Sequence, residues 1–255
     1  MTIARSRVWR VFAPLNLLLV GFVLFFAGLR IARPETVFYY TEGPVLGSLA
    51  ALESGDLSDL YPADGWVEPP VVLTLYPPAY FVGAAALDRW LGSEGTFTGL
   101  RIVSVAALLG LLALLALHTL GRGAPMAWTL ALAATLLVTP SVYRLAGGAQ
   151  SDTLALVLTW AGITAALGTR TTGVRNGALP LLLAAAAFFL AFFSKQSFVA
   201  APFALTTALL LERRIRAAVA FSVGLAGAAL LGVFYLDVLT SGGYLANTLG
   251  ALTGA

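Results

Sequence analysis

Long apolar runs alternate with short polar interruptions along the chain, and the runs lack the strict two-residue alternation of a transmembrane β-strand. Runs of this length, broken by Gly, Pro and Ser, are typical of membrane-spanning helices. We therefore expect an all-α polytopic membrane protein. The pattern predicts seven spans: Val11–Ile31, Leu100–Leu120, Met126–Val142, Thr153–Leu167, Ala178–Phe193, Phe198–Leu211 and Ala217–Leu239.

Composition supports this class and excludes others. Hydrophobic residues make up 59% of the 255 positions and charged residues only 11%, whereas a soluble domain carries about a quarter charged residues. The chain has no cysteine, so disulfides and thiolate metal sites are excluded. The net charge of +3 comes without any nucleic-acid-binding pattern, so we assign the basic residues to orienting the helices and expect no nucleic-acid partner.

Segment 32–97 differs from the rest of the chain. It holds nine of the twelve acidic residues, and we interpret it as one large extracytoplasmic loop. Within it, residues 46–60 (LGSLAALESGDLSDL) have apolar positions at helical spacing, which predicts a short amphipathic helix at the interface. Residues 79–91 (AYFVGAAALDRWL) form a helix of about 20 Å, shorter than the roughly 30 Å hydrocarbon core. Because this helix is too short to span the membrane, we expect it to be a juxtamembrane or re-entrant helix.

The positions of the basic residues predict the orientation. Arg5, Arg7 and Arg10 precede the first run and hold the amino terminus in the cytoplasm. If 79–91 does not span, the loop arginines from Arg122 onwards are cytoplasmic except for Arg144. The chain is then a multi-pass plasma-membrane protein whose first large loop lies outside.

Four residues on the predicted outer side are candidates for a site. Glu42 lies in YYTEGP, in the segment that follows the first span, and is also explained as an ordinary acid at the membrane interface. Asp152 precedes a helical run, where Asp is a favoured helix cap. Lys195 is the only lysine and lies between two apolar runs, where ionisable groups are costly, although it could also extend to headgroups. Arg144 is also explained as a contact to lipid headgroups, and the same applies to Arg101.

The order of several short motifs resembles the GT-C superfamily of polyprenyl-phosphate-dependent glycosyltransferases, which includes protein O-mannosyltransferases and aminoarabinose transferases. The motifs are YYTEGP, LYPPAYF, LRIVSVAALLGLLALLAL, SDTLALVL and FFSKQSFVAAPFALTTALLLERRIRAA, and together they cover nearly the whole chain. The resemblance implies a seven-helix amino-terminal module. Because such enzymes run well beyond seven helices, residues 1–255 are expected to be one transmembrane domain of a longer enzyme.

The resemblance also implies roles for the candidates. Glu42 and Asp152 correspond to the catalytic acids of the first and second outer loops, and in some members these acids bind a divalent cation. Lys195, and more weakly Arg144, correspond to basic residues that hold the donor phosphate. Many members carry an Asp-Glu or Asp-Asp pair where this chain has Thr41-Glu42.

Sugar transfer from a polyprenyl-phosphate donor to an acceptor needs a carboxylate base for the acceptor hydroxyl and a cation for the developing phosphate charge. Both must lie at the membrane surface, because the donor's polyprenyl tail stays in lipid. The alternatives are a transporter or flippase of lipid-linked sugars and a non-catalytic membrane scaffold. A transporter places ionisable groups near the bilayer midplane, whereas most charges here lie near run ends and in the first loop.

Overall fold

The protein is described by a computed structural model that covers residues 3–37, 42–62, 74, 76–138, 148–171 and 178–250, with only the backbone described at 3–12, 138, 168–171 and 250. These residues form helices and connecting turns, with no β-strand among them. The helices are α1 (Ile3–Ile31), α2 (Glu42–Ser54), α3 (Leu57–Leu60), α4 (Ala79–Leu91), α5 (Thr98–Leu120), α6 (Met126–Val138), α7 (Asp152–Thr171), α8 (Ala178–Ser194), α9 (Ala200–Leu211), α10 (Ile215–Leu239) and α11 (Gly243–Leu245), followed by a π-helical turn at Ala246–Gly250.

A helix occupies each of the seven positions predicted to span. Three of them are long and apolar enough to cross a membrane: the Ala13–Ile31 part of α1, all of α5 and all of α10. Helices α6 to α9 are apolar but shorter. The chain is therefore an all-α membrane protein, while the count of seven spans stays a prediction.

The long helices keep most of their apolar side chains exposed. On α10, Leu230, Leu231 and Phe234 are each about two-thirds exposed or more. So much exposed apolar surface is unfavourable in water but not in hydrocarbon. A helix can lie in hydrocarbon because its backbone N–H and C=O groups are hydrogen-bonded within the helix. The exposed faces of α10 are thus suited to lipid.

The prediction of one helix over 46–60 is wrong, because the structure has two helices, α2 and α3, with a break between them. Asp56 ends the continuity: its side chain accepts a hydrogen bond from the Ser58 N–H (2.7 Å), and the Asp59 carboxylate accepts from the Asp56 N–H (2.9 Å). This reciprocal capping starts a new helix at Leu57. The absence of a side chain at Gly55 leaves room for the Asp59 carboxylate.

Among the described residues, the largest buried core is formed mainly by segment 32–97 and also takes in Phe193 of α8 and Leu236 of α10. It joins α2, α3, α4 and the start of α5, and its most buried members include Leu49, Leu60, Phe81, Phe97 and Leu100. The predicted helix at 79–91 is confirmed with the same bounds, as α4. The described part of segment 32–97 is therefore tightly packed, so its side chains can be held in fixed positions.

Candidate functional site

The candidate site lies where four parts of the chain meet. They are the first turn of α2, the first turn of α5, the short segment 148–151 before α7, and the end of α8. Three of them contribute a charged side chain, namely Glu42, Arg101 and Lys195, and the segment before α7 contributes the backbone N–H of Ala149. Lys195 faces Asp152, the first residue of α7. The arrangement consists of two ion pairs that differ in burial.

The buried pair joins Glu42 to Arg101. The distance from Arg101 Nη2 to Glu42 Oε2 is 3.2 Å, and neither side chain is exposed. The other carboxylate oxygen, Oε1, accepts a hydrogen bond from the Ala149 N–H at 3.0 Å. Both oxygens of Glu42 are thus engaged, and the charge of Glu42 is balanced inside the protein.

Arg101 also holds the end of α1. Its Nη1 donates to the carbonyl oxygens of Arg30 (2.8 Å) and Arg33 (2.7 Å), and its Nη2 donates to the carbonyl oxygen of Thr36. The guanidinium carbon lies 4.6 Å from the centroid of the Phe97 ring, in range for a cation–π contact. The planar fork of an arginine suits this many acceptors at once, which a lysine could not match.

A tyrosine on α4 is hydrogen-bonded to the start of α5, which in turn contacts the segment before α7. The Tyr80 hydroxyl donates to the Leu100 carbonyl oxygen (2.8 Å) and lies 2.9 Å from Ser104 Oγ. Ser104 Oγ in turn donates to the Gln150 carbonyl oxygen at 3.3 Å. Burial raises the pKa of Tyr80 well above its ordinary value, so the phenol stays protonated and available as a donor.

The second pair joins Asp152 to Lys195 and is partly open to the surroundings. The Lys195 Nζ to Asp152 Oδ1 distance is 2.5 Å, and the side chains are 20% (Lys195) and 28% (Asp152) exposed. Asp152 is the first residue of α7, and Lys195 directly follows α8. Each charge therefore complements the dipole of its own helix, negative at an amino end and positive at a carboxyl end.

Two features around this pair are suited to a polar ligand. Lys195 Nζ lies 5.0 Å from the centroid of the Tyr76 ring, so an aromatic face borders the ammonium group. The hydroxyls of Ser151 and Thr153, on either side of Asp152, are buried and have no hydrogen-bond partner among the described residues. Buried hydroxyls without a partner are unusual, and a sugar hydroxyl or a water could satisfy them.

The residues present do not fit a divalent cation bridging Glu42 and Asp152. Each carboxylate already faces a cation, Arg101 in one case and Lys195 in the other. Within the described parts of the chain, no group of three His, Asp or Glu side chains comes together to hold a metal. We therefore assign no step to a metal.

The structure brings three of the four predicted site residues to this region and leaves one undecided. Asp152 and Lys195 are in direct contact, and Glu42 is linked to the same segment through Ala149. Glu42 is fully buried, whereas an acid that binds an acceptor at the surface would face solvent. Arg144 lies outside the described residues.

The sequence pattern did not identify Arg101 as part of the site, because an arginine near a helix end is equally explained as a lipid-headgroup contact. The available signal was an arginine at the start of a long apolar helix, because ionisable residues in such helices usually have a partner. Tyr76 and Tyr80 were noticed only as parts of LYPPAYF. Neither the known protein families, nor the curated proteins, nor the solved structures that were compared gave a match to this chain.

Proposed function

We propose that the protein is a membrane glycosyltransferase that moves a sugar from a polyprenyl-phosphate donor to an acceptor hydroxyl at the outer face of the plasma membrane. The proposal includes the topology of seven spans with a cytoplasmic amino terminus and an outer first loop. The acceptor is a glycan, lipid or protein hydroxyl. The observation that carries it is the partly exposed Asp152–Lys195 contact of 2.5 Å, flanked by two buried hydroxyls.

Asp152 is the proposed general base and Lys195 the proposed phosphate ligand. Lys suits a phosphate as a point charge, and once Lys195 turns to the donor phosphate, Asp152 is released to accept a proton. The acceptor oxygen then bonds to the anomeric carbon while the bond from that carbon to the phosphate oxygen breaks. The proton goes to Asp152 and the electron pair leaves with the phosphate, which gives inversion by in-line attack.

Glu42 has a different proposed role, as a positioning residue. Its carboxylate is fully buried and both oxygens are engaged, with Arg101 and Ala149. It therefore acts by holding the segment that leads into Asp152 against α5. Thr41, which stands where many enzymes of the resembled superfamily carry a further acid, lies outside the described residues.

The test uses the full chain reconstituted in vesicles with polyprenyl-phosphate-mannose and polyprenyl-phosphate-glucose, each labelled in the sugar. Release or transfer of the label, with water as the default acceptor, measures cleavage of the sugar–phosphate bond. We expect Asp152→Asn to reduce the rate by about 10² to 10⁴ and Lys195→Ala to reduce it by a similar factor. Glu35→Gln, which changes an exposed acid of segment 32–97, should leave it unchanged.

The same preparation distinguishes the flippase alternative. A flippase moves the labelled lipid between leaflets without cleaving the sugar–phosphate bond, whereas the proposed enzyme cleaves it. If neither donor is cleaved, and neither protects the chain from heat unfolding relative to the sugar-free lipid phosphate, the proposal fails.

A further inference from the structure

A groove lies between α8 and α10, away from the two ion pairs. It has a volume of about 1010 Å³. One wall is the face of α8 from Ala178 to Phe189, and the other is the face of α10 from Ala217 to Ala228. The α10 wall includes Phe221 and Leu225 and a row of small residues at helical spacing, which leaves room between the helices: Ala217, Ala220, Gly224 and Ala228.

The groove is apolar along its length and basic at one end. Arg213, Arg214 and Arg216 line that end, and Arg213 and Arg216 are exposed. Glu212 is the only acidic residue from position 178 to position 236, and it lines the smaller neighbouring cavity rather than this groove. The electrostatic potential at the groove mouth therefore favours an anion.

The backbone strengthens this preference. Helix α9 ends in a Schellman motif, with the Arg214 N–H donating to Leu209 O and the Arg213 N–H to Leu210 O (both 2.9 Å). Arg213 occupies the left-handed position at φ 56°, where glycine is the usual residue. Helix α10 begins directly afterwards, and Arg214 at its cap position makes no side-chain hydrogen bond to the helix. The amino end of a 25-residue helix thus faces the same mouth.

The dimensions indicate what kind of anion fits. From Ala178 to Phe189, α8 rises about 17 Å, close to half of the roughly 30 Å hydrocarbon core. The groove is therefore as deep as one leaflet. Along the same helix, Lys195 lies about 25 Å beyond Ala178, so the basic mouth and the Asp152–Lys195 pair are at opposite ends of α8.

We propose that this groove is a binding site for one anionic phospholipid, with an acyl chain between α8 and α10 and the phosphate at Arg213, Arg214 and Arg216. The site is separate from the proposed sugar-transfer site and does not depend on it. Because the predicted orientation puts these arginines in the cytoplasm, the lipid comes from the inner leaflet. Its role is to fill the space between two helices that pack only along part of their length.

The test measures lipids retained by the purified full chain in detergent, by native mass spectrometry. Phosphatidylglycerol and phosphatidylcholine with identical acyl chains are added at equal concentration. We expect at least tenfold preference for phosphatidylglycerol, one molecule per chain, and a heat-unfolding temperature that rises only with this lipid. The double variant Arg213→Gln/Arg216→Gln should lose the preference.

A second pair of variants tests the groove itself, without changing charge. Gly224→Leu places a side chain in the groove, where nothing lies within 4 Å of the added Cβ, so it should fold and exclude the acyl chain. Gly227→Leu, on the same helix, also has nothing within 4 Å but does not line the groove. It should retain the lipid.

Four outcomes would overturn the proposal. Equal retention of the two lipids would show that the arginines do not select the headgroup. Retention that survives Gly224→Leu would place the lipid elsewhere. If glycerol phosphate, which has no acyl chain, stabilises the protein equally, the ligand is a free phosphate. If the chain forms a dimer that excludes lipid, the groove is occupied by a second copy of the chain.

Discussion

Glu42 and Arg101 stand 59 positions apart in the chain and form an ion pair of 3.2 Å from which solvent is excluded on both sides. The pair joins α2 to α5, and the further hydrogen bonds of Arg101 bring in the end of α1. The N–H of Ala149 adds the segment before α7. One pair of charges thus connects four parts of the chain beside the candidate site.

We expect Arg101→Gln to destabilise the protein by about 3–5 kcal/mol, because it leaves the carboxylate of Glu42 buried without its cation. Arg101→Lys should recover only part of this loss, since an ammonium group cannot serve the same spread of acceptors. Heat unfolding in detergent, followed by tryptophan fluorescence, measures the effect. Arg122→Gln is the matched control, because Arg122 follows the other end of α5 and is exposed. Equal unfolding temperatures for Arg101→Gln and Arg122→Gln would contradict the structural role.

The Asp152–Lys195 pair should behave in the opposite way, with a small effect on stability and a large effect on activity. Both side chains are partly exposed, and exposed pairs contribute about 0–1 kcal/mol. A double-mutant cycle with Asp152→Asn and Lys195→Gln measures the coupling. We expect less than about 1 kcal/mol in the free energy of unfolding, together with loss of sugar transfer in each single variant. A coupling of several kcal/mol with activity intact would make the pair structural.

Gly99 should be intolerant of a side chain because α4 and α5 meet there. A Cβ at Gly99 would lie 2.3 Å from Asp88 Oδ2 and 2.5 Å from the Ala84 carbonyl oxygen. The Gly99 N–H also donates to Asp88 Oδ1 at 2.8 Å. We expect Gly99→Ala to destabilise by about 1–3 kcal/mol through overpacking, measured by heat unfolding.

The control for this substitution is Gly227→Ala in the middle of α10. No atom lies within 4 Å of the added Cβ there, so alanine should be neutral or stabilise by about 0.5–1 kcal/mol through its higher helix propensity. If Gly99→Ala and Gly227→Ala have the same effect, the contact between α4 and α5 is looser than the geometry indicates.

Two acids of segment 32–97, Asp88 and Glu53, should make the stability of the protein depend on pH. Burial raises the pKa of Asp88 and also that of Glu53, and the nearby negative charge of Glu94 adds to both shifts. Hydrogen bonds from the Ser93 hydroxyl (2.5 Å) to Asp88 and from the Gly95 N–H (2.8 Å) to Glu53 oppose the shifts without cancelling them. The folded state therefore holds these protons to a higher pH than the unfolded chain does.

The sign follows from proton linkage. Between the ordinary carboxyl pKa and the raised pKa, the folded state binds more protons, so the free energy of unfolding falls as pH rises through this window. We expect the unfolding temperature to be higher near pH 4.5 than near pH 7 by this contribution, and Asp88→Asn to flatten the dependence. Glu35→Gln, an exposed acid of the same segment, should not. A slope that survives both Asp88→Asn and Glu53→Gln would assign it to other groups.

The sequence by itself determined the class of the protein and the positions of its longer apolar helices. Apolar runs and their polar ends predicted α5 from Leu100 where it begins at Thr98, and α8 from Ala178 as observed. This worked because hydrophobicity and breaker residues are local properties, read within one turn or one run. Asp152 and Lys195 could be singled out for the same reason, since an ionisable residue at the end of an apolar run is visible locally.

Only the tertiary structure decided which of these charges meet. The resemblance implied a catalytic role for both Glu42 and Asp152 at the outer surface, whereas folding buries Glu42 against Arg101 and leaves Asp152 partly exposed beside Lys195. These contacts cross 59 and 43 positions of the chain, far beyond any helical or strand period. The physical reason is that a buried charge takes the nearest opposite charge that packing supplies, and packing between distant helices is not encoded in local periodicity.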